Sequence, residues 1–191
     1  MLQTWLRRTL LAAGMIFSLI QAETIPDPCG LLTHQEVEEM MGIPMKEGRL
    51  KDGRDHFVGF VCSYFSVDQF DRSGSIKITI DTTQSMEESS SVHRSAKDRY
   101  ERQKYAYSEA LKDQGKADTF ETIEGLGDDA YWNRVSLIVL VNDIYLDIQV
   151  KAGAGMKAEN AEALYQKIEA RNLALSKKIA ALIIQKLGKK P

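Results

Sequence analysis

The chain has 191 residues, with 25 Lys and Arg against 27 Asp and Glu and only two cysteines. A net charge of −2 argues against nucleic acid as the expected partner, since binding a phosphate backbone needs a basic surface. A chain of this size forms one domain with a core of its own, so it does not need disulfides in order to fold.

The first 22 residues read as a secretory signal. Arg7 and Arg8 precede an apolar run from Leu10 to Ile20, and a small residue, Ala22, stands before the expected cut at Glu23. A membrane span takes about 20 apolar residues, more than this run provides, and no later segment is apolar enough to be one. Removing 22 residues with two arginines leaves 169 residues, 23 basic against 27 acidic side chains, and a net charge of −4. A lipid anchor would need a cysteine directly after the apolar run, whereas Cys29 follows "ETIPDP". The expected location is therefore periplasmic or secreted, with no transmembrane segment after processing. In such a compartment two cysteines most simply pair, and a Cys29–Cys62 bridge would add roughly 3–4 kcal/mol. Neither a C-x-x-C redox motif nor a zinc pattern is present.

Residues 23 to 191 then read as a single domain. In "CGLLTHQEVEEMMGIP", Thr33 is an N-cap and Glu36 completes a capping box. Val37, Met40 and Met41 form the apolar stripe, and Gly42 followed by Ile43-Pro44 stops the helix. His34, in the first turn, is expected to be exposed. "MKEGRLK" suggests a short strand and "DGRD" a turn, and His56 to Val67 reads as a long strand containing Cys62. After the turn "FDRSGS", Ile76, Ile78 and Ile80 point inward while Lys77 and Thr79 point outward, a strand with one wet face. Ala96, Tyr100, Tyr107 and Leu111 recur at helical spacing and predict a helix from about Val92 to Lys112, ended by Gly115 and packed on the sheet by its tyrosines. The serines before it read as loop or a frayed first turn.

"RVSLIVLV", "ND" and "IYLDIQVK" form a hairpin signal with a two-residue turn at Asn142-Asp143. Its first strand is apolar on both faces and so central. In its second, Ile144, Leu146, Ile148 and Val150 point in and Tyr145, Asp147 and Gln149 point out. From Lys157 to Leu187 a long amphipathic helix buries Ala161, Leu164, Ile168, Leu175, Ile179, Leu182 and Ile183. At roughly 45 Å it outruns a small sheet, so it kinks or overhangs. A weak dimer through this helix is the alternative to a monomer. The basic "KLGKKP" end reads as a solvated tail. Strands grouped in hairpins between helices predict an α+β fold: a mostly antiparallel sheet flanked by a short N-terminal helix, a middle helix and a long C-terminal helix.

"DPCGLLTHQEVEEMMG", the strand cysteine in "CSYF", and "GLGDDAYW" before a closing hairpin resemble a family of small secreted bacterial proteins. The family is best known as a domain of unknown function in actinobacterial envelope lipoproteins. The resemblance implies a PsbP-like sandwich, a cell-envelope location and the pairing of Cys29 with Cys62. It brings no catalytic residues, and this chain lacks the lipidation cysteine of those lipoproteins.

No motif marks a catalytic centre. His34, His56 and His93 form no metal pattern, no G-x-S-x-G elbow occurs, and the Ser85–Ser91 run has nothing to activate a nucleophile. The stretch with most apparent chemistry is "EGLGDDAYW". A phosphate loop would need a helix after it, and a strand follows instead. Calcium would need more oxygen donors than Asp128 and Asp129. Gly125 and Gly127 therefore read as a turn with positive φ, Asp128 as closing an Asx-type turn, and Tyr131 and Trp132 as opening a strand, one of them facing the core. The same residues are the candidate binding motif if there is one. No catalytic residue, cofactor or metal is expected. The leading expectation is a non-catalytic binding module for a protein partner or envelope component. A small-molecule or lipid carrier with a pocket lined by tyrosines and methionines is the second reading, and a hydrolase assembled only in three dimensions is the third. Thiol labelling of the unreduced, denatured mature protein is expected to give no signal, and two labelled thiols would refute the bridge.

Overall fold

The computed structural model describes residues 25–53, 59–68, 74–89, 91–153 and 155–188. The expected signal segment, its Ala22–Glu23 cleavage point, His56, parts of the "DGRD" and "FDRSGS" turns and the last three residues of the basic tail lie outside the described residues.

The elements in chain order are α1 (His34–Met41), β1 (Arg49–Asp52), β2 (Phe60–Phe65), β3 (Ser75–Thr82), α2 (Thr83–Glu87), α3 (Ala96–Asp113), a 3-10 turn (Ala117–Thr119), β4 (Glu121–Thr122), β5 (Asp129–Trp132), β6 (Ser136–Val141), β7 (Ile144–Lys151) and α4 (Ala161–Gly188). The strands form one sheet in the order β1-β2-β3-β7-β6-β5-β4, antiparallel throughout. The fold is α+β. Two meanders, β1–β3 and β4–β7, are joined where β3 pairs with β7 (Ile78 opposite Ile148). Between them the chain crosses one face as α3 and re-enters at the far edge as β4.

The first helix forms as its sequence dictates. Thr33 Oγ1 accepts the Glu36 N–H at 3.2 Å, and Glu36 Oε2 accepts the Thr33 N–H at 2.7 Å. Gly42 takes the left-handed C-cap at φ 68°. Cys29 and Cys62 are bonded, 5.2 Å apart at Cα, and so fasten the segment before α1 to β2. The buried Tyr64 hydroxyl reinforces the tie by donating to the carbonyls of Leu32 (2.9 Å) and Cys29 (3.3 Å). Lys186 of α4 reaches Glu36 at 2.7 Å and draws the two helices together.

One sheet face, through Cys62, Tyr64, Ile76, Ile78, Leu137, Val139, Leu146 and Ile148, packs against α1 and α4 in the main core. On α4 only Leu175, Ser176, Ile179, Ala180 and Ile183 are fully buried; the helix is unbroken, and its first half is half-buried or exposed, although Glu169 and Asn172 still bond to Trp132 and Ala152 at the sheet. The expected stripe therefore holds from Leu175 onward, while Ala161 is exposed and Leu164 and Ile168 are half-buried. The opposite face packs against α3 through Tyr131, Ile138, Leu140 and Tyr145, with Ala96 and Tyr100 of the helix.

That second layer changes several sequence expectations. Thr79, expected outside, is buried, and so are Asp81 and Tyr145, because α2 and α3 cover their end of the sheet. Alternation predicts which residues share a face, but a polar face can still be buried if a polar helix lies over it. The helix predicted from Val92 starts at Ala96, where the Ser95 side chain caps the Asp98 N–H at 3.0 Å. Part of the serine-rich stretch is helical as well: Thr82 and Ser85 form the capping box of α2. His34 is half-buried, 3.3 Å from Glu38 and 3.6 Å from Glu47.

The Tyr64 hydroxyl pKa is pushed up to about 12, first by burial and then by Asp27, Glu47 and Glu36. Burial is also the first cause raising Tyr100, Tyr131 and Tyr145. A folded-state value above the ordinary one near 10 means that ionisation opposes folding. The contribution is complete below about pH 10 and is lost as pH rises toward 12. Urea melts are expected to show stability falling over that window, and Tyr64→Phe should make the fall shallower. An unchanged slope would contradict the assignment.

Candidate functional site

The "EGLGDDAYW" residues build the β4–β5 hairpin and its join to the next hairpin. Gly125 and Gly127 have φ of 75° and 63°. The chain at Gly127 runs against β6, where an added Cβ would collide with the Leu140 carbonyl and lie 2.8 Å from Val139 Cγ1. The Asp128 N–H donates to Leu140 O at 2.8 Å, and its carboxylate accepts the Asn142 N–H at 2.6 Å. Asp128 thus caps the β6–β7 turn, where Asn142 has φ 52°, and does not close an Asx turn of its own. The partner lies 14 residues away, so no local pattern could show it. Asp129 binds Lys104 of α3 at 2.5 Å. Tyr131 and Trp132 are both buried, on opposite faces, whereas the sequence places only one of them in the core. Trp132 Nε1 donates to Glu169 of α4 at 3.2 Å, and Glu169 also accepts from Arg134 at 3.1 Å. Both aspartates and both aromatics are therefore held by structural partners.

The second face holds a buried polar group that motif reading missed. Arg99 of α3 is ion-paired to Asp81, and its guanidinium lies 4.3 Å from the Tyr145 ring centre. The Ser85 hydroxyl donates to Asp81 at 2.5 Å and accepts the Thr82 N–H at 2.8 Å. The Tyr145 hydroxyl donates to Gln103 at 2.5 Å. This is a serine beside an aspartate, but the hydroxyl is buried within the α2 cap. The nearby His93 contacts Asp98 at 3.7 Å, too far for a hydrogen bond, and burial followed by Arg99 lowers its pKa. Asp147 is half-buried on the same face. Burial raises its pKa, while a hydrogen bond from Ser136 and the charges of Lys77 and Arg99 act in the other direction. Among the described residues, no group of three or more His, Cys, Asp or Glu side chains could hold a metal ion.

The aromatic and methionine side chains expected to line a pocket instead fill space themselves. Tyr131 meets Tyr100 edge-on at 5.5 Å and stacks with Tyr107 and Phe120 at 6.1 and 5.8 Å. Met41 and Met45 are buried in the main core. A shallow depression beside Gly42, lined by Glu38, Glu39, Ile43 and Pro44, touches neither set.

Among the described residues, the part of the sheet that no helix covers is the β1–β2 side of the second face, the open quarter. On the second face, α3 lies over β6 and β7, and α2 lies at the Thr82 end of β3. On the β1–β2 side of this face β1 is exposed, whereas along β2 Val61 is buried, Ser63 half-buried and Phe65 exposed. The register places Arg49, Ser63, Lys77 and Gln149 in one row across four strands. The neighbouring row is Phe65, Ser75 and Lys151, and Lys51 stands at the edge two residues along from Arg49 on the same face. Arg49, Lys51, Lys77 and Lys151 are all exposed. Phe65 is 46 % and Val67 56 % exposed. Asp147 is the carboxylate at the inner margin, with Asp81 occupied by Arg99. Composition hides this surface, because its four cations belong to an acidic chain.

Gly125 and Gly127 separate backbone strain from collision. Gly125 faces open space, so Gly125→Ala should cost only its left-handed conformation, about 1 kcal/mol. Gly127→Ala adds the clash with β6 and should cost about 3 kcal/mol or more. Denaturant melts of the two variants check the order, and equal losses would refute the close approach.

No family model, no curated protein and no solved structure matches this chain.

Proposed function

We propose that the chain is an exported, non-catalytic binding module that docks at the cell envelope through the open quarter of its sheet. The observation that carries this reading is exposed Arg49, Lys77 and Lys151 in the same or the adjacent row as exposed Phe65, with Lys51 further along the edge, on a part of the second face that no described helix covers. The bridged cysteines suit an oxidising compartment. No helix among the described residues is long and apolar enough to cross a membrane. The signal-like N-terminus and the resemblance of "DPCGLLTHQEVEEMMG" and "GLGDDAYW" to a secreted envelope family with a PsbP-like fold support the same location.

The carrier and hydrolase readings have less support. The tyrosines and methionines pack on one another and the core, and Ser85 is tied into a helix cap. The test is co-sedimentation of the mature protein with envelope fragments of its producing cell. Binding is expected at low salt and should weaken as salt screens the cations. Arg49→Glu with Lys151→Glu should abolish it while leaving the melting curve unchanged, since both side chains are exposed. Binding indifferent to that pair would sink the reading, and a small ligand co-purifying in native mass spectrometry would favour the carrier instead.

A further inference from the structure

An exposed lysine or arginine on an edge strand has an ordinary explanation, since such charges discourage edge-to-edge aggregation. That accounts for Arg49 and Lys51 on β1. It does not account for Lys77, which lies on β3 with β2 on one side and β7 on the other, or for Lys151 at the end of β7. Adjacent strands lie about 4.8 Å apart, so Arg49 and Lys77, two strands apart in one row, rise about 10 Å from each other. Phe65 stands in the next row between β1 and Lys151, and Val67 continues past it along the same strand end.

Among the described residues the surface is a sheet face, which suits a broad, flat partner better than an inserted peptide. Three of the four cations are lysines. Lysine is a compact, strongly hydrated point charge that attracts an anionic surface without fixed geometry, whereas arginine's planar fork matches individual carboxylates and phosphates bidentately. An exposed aromatic with Lys77 and Arg49 diagonal to it and Lys151 in its own row matches an interface that is anionic outside and apolar just beneath.

We infer that the open quarter of the sheet docks on an anionic phospholipid surface, with Lys77, Lys151, Arg49 and Lys51 on the phosphates and Phe65 at the boundary between headgroups and acyl chains. This rests on the docking reading above and names its partner. Outside these four residues the chain carries 21 Lys and Arg against 27 Asp and Glu, so its net charge elsewhere favours turning this face toward an anionic surface.

The probe is vesicles of phosphatidylglycerol and phosphatidylcholine, compared with phosphatidylcholine alone, at low and high salt. Each cation near such a surface contributes about fivefold in affinity, so Lys77→Gln with Lys151→Gln should weaken binding about 25-fold. Trp132 is the tryptophan of the mature chain and is buried, so Phe65→Trp adds an exposed reporter over a constant background. On anionic vesicles its emission should shift to the blue and be quenched by lipids brominated on their acyl chains. Melting curves of both variants should match the parent. Equal binding to neutral vesicles, insensitivity to the lysine pair, or a reporter indole that stays in water would each overturn the inference. Binding to envelope fragments without binding to vesicles would overturn it too, and would leave an acidic protein as the partner with the docking reading intact. Loss of both would end both.

Discussion

Strand β6 is buried at all six positions, and the rest of the architecture follows from that. A strand with no wet side must be covered on both faces, and the chain supplies one helix for each. The apolar C-terminal half of α4 covers one face through Leu175, Ile179 and Ile183. The other is covered by α3, half of whose residues are charged, so the cover is held by aromatic edges and polar pairs as much as by aliphatic packing. Asp81 with Arg99, and Tyr145 with Gln103, meet under that helix. Leaving either charge of the Arg99 pair alone would cost several kcal/mol, so α3 is confined to the position along the sheet where the two meet.

The β1–β3 half is built differently. Its inner face receives α1, pinned by the Cys29–Cys62 bridge, by Tyr64 donating to two backbone carbonyls and by Lys186 on Glu36. Its outer face has no helix among the described residues beyond α2 at one end. The sheet is therefore three layers deep on one side and two on the other. The uncovered surface lies at the opposite end of β3 from α2, around Ser75 and Lys77, and its lysines give it a positive sign. Binding at such a face needs no pocket, which fits a molecule whose interior is filled by its own side chains.

Much of this was legible in the sequence because it is local. The capping box at Thr33 and Glu36, the glycine stop at Gly42, the two-residue turn at Asn142-Asp143 and the alternation of Ile76, Ile78 and Ile80 each lie within a few residues of their partners. The Cys29–Cys62 pairing is long-range, yet the count of two cysteines leaves no other partner. "EGLGDDAYW" was legible as a glycine-bent passage into a strand. That Asp128 caps a different hairpin, and that Tyr131 and Trp132 are both buried, was not legible, because strand order decides both.

The candidate surface shows the same division. The sequence by itself determined which residues alternate with which, so Lys77 had to oppose the Ile76–Ile80 face, and Phe65 had to oppose Tyr64. It determined the three larger helices, the bridge and the antiparallel meanders through caps, turns and periodicity. Only the tertiary structure decided that β3 pairs with β7, that α3 buries Thr79, Asp81 and Tyr145, and that Lys77, Lys151, Arg49 and Phe65 remain together in the open. The physical reason is that periodicity records only which side of a strand a residue takes. Whether that side meets water, a helix or a partner depends on elements dozens of residues away.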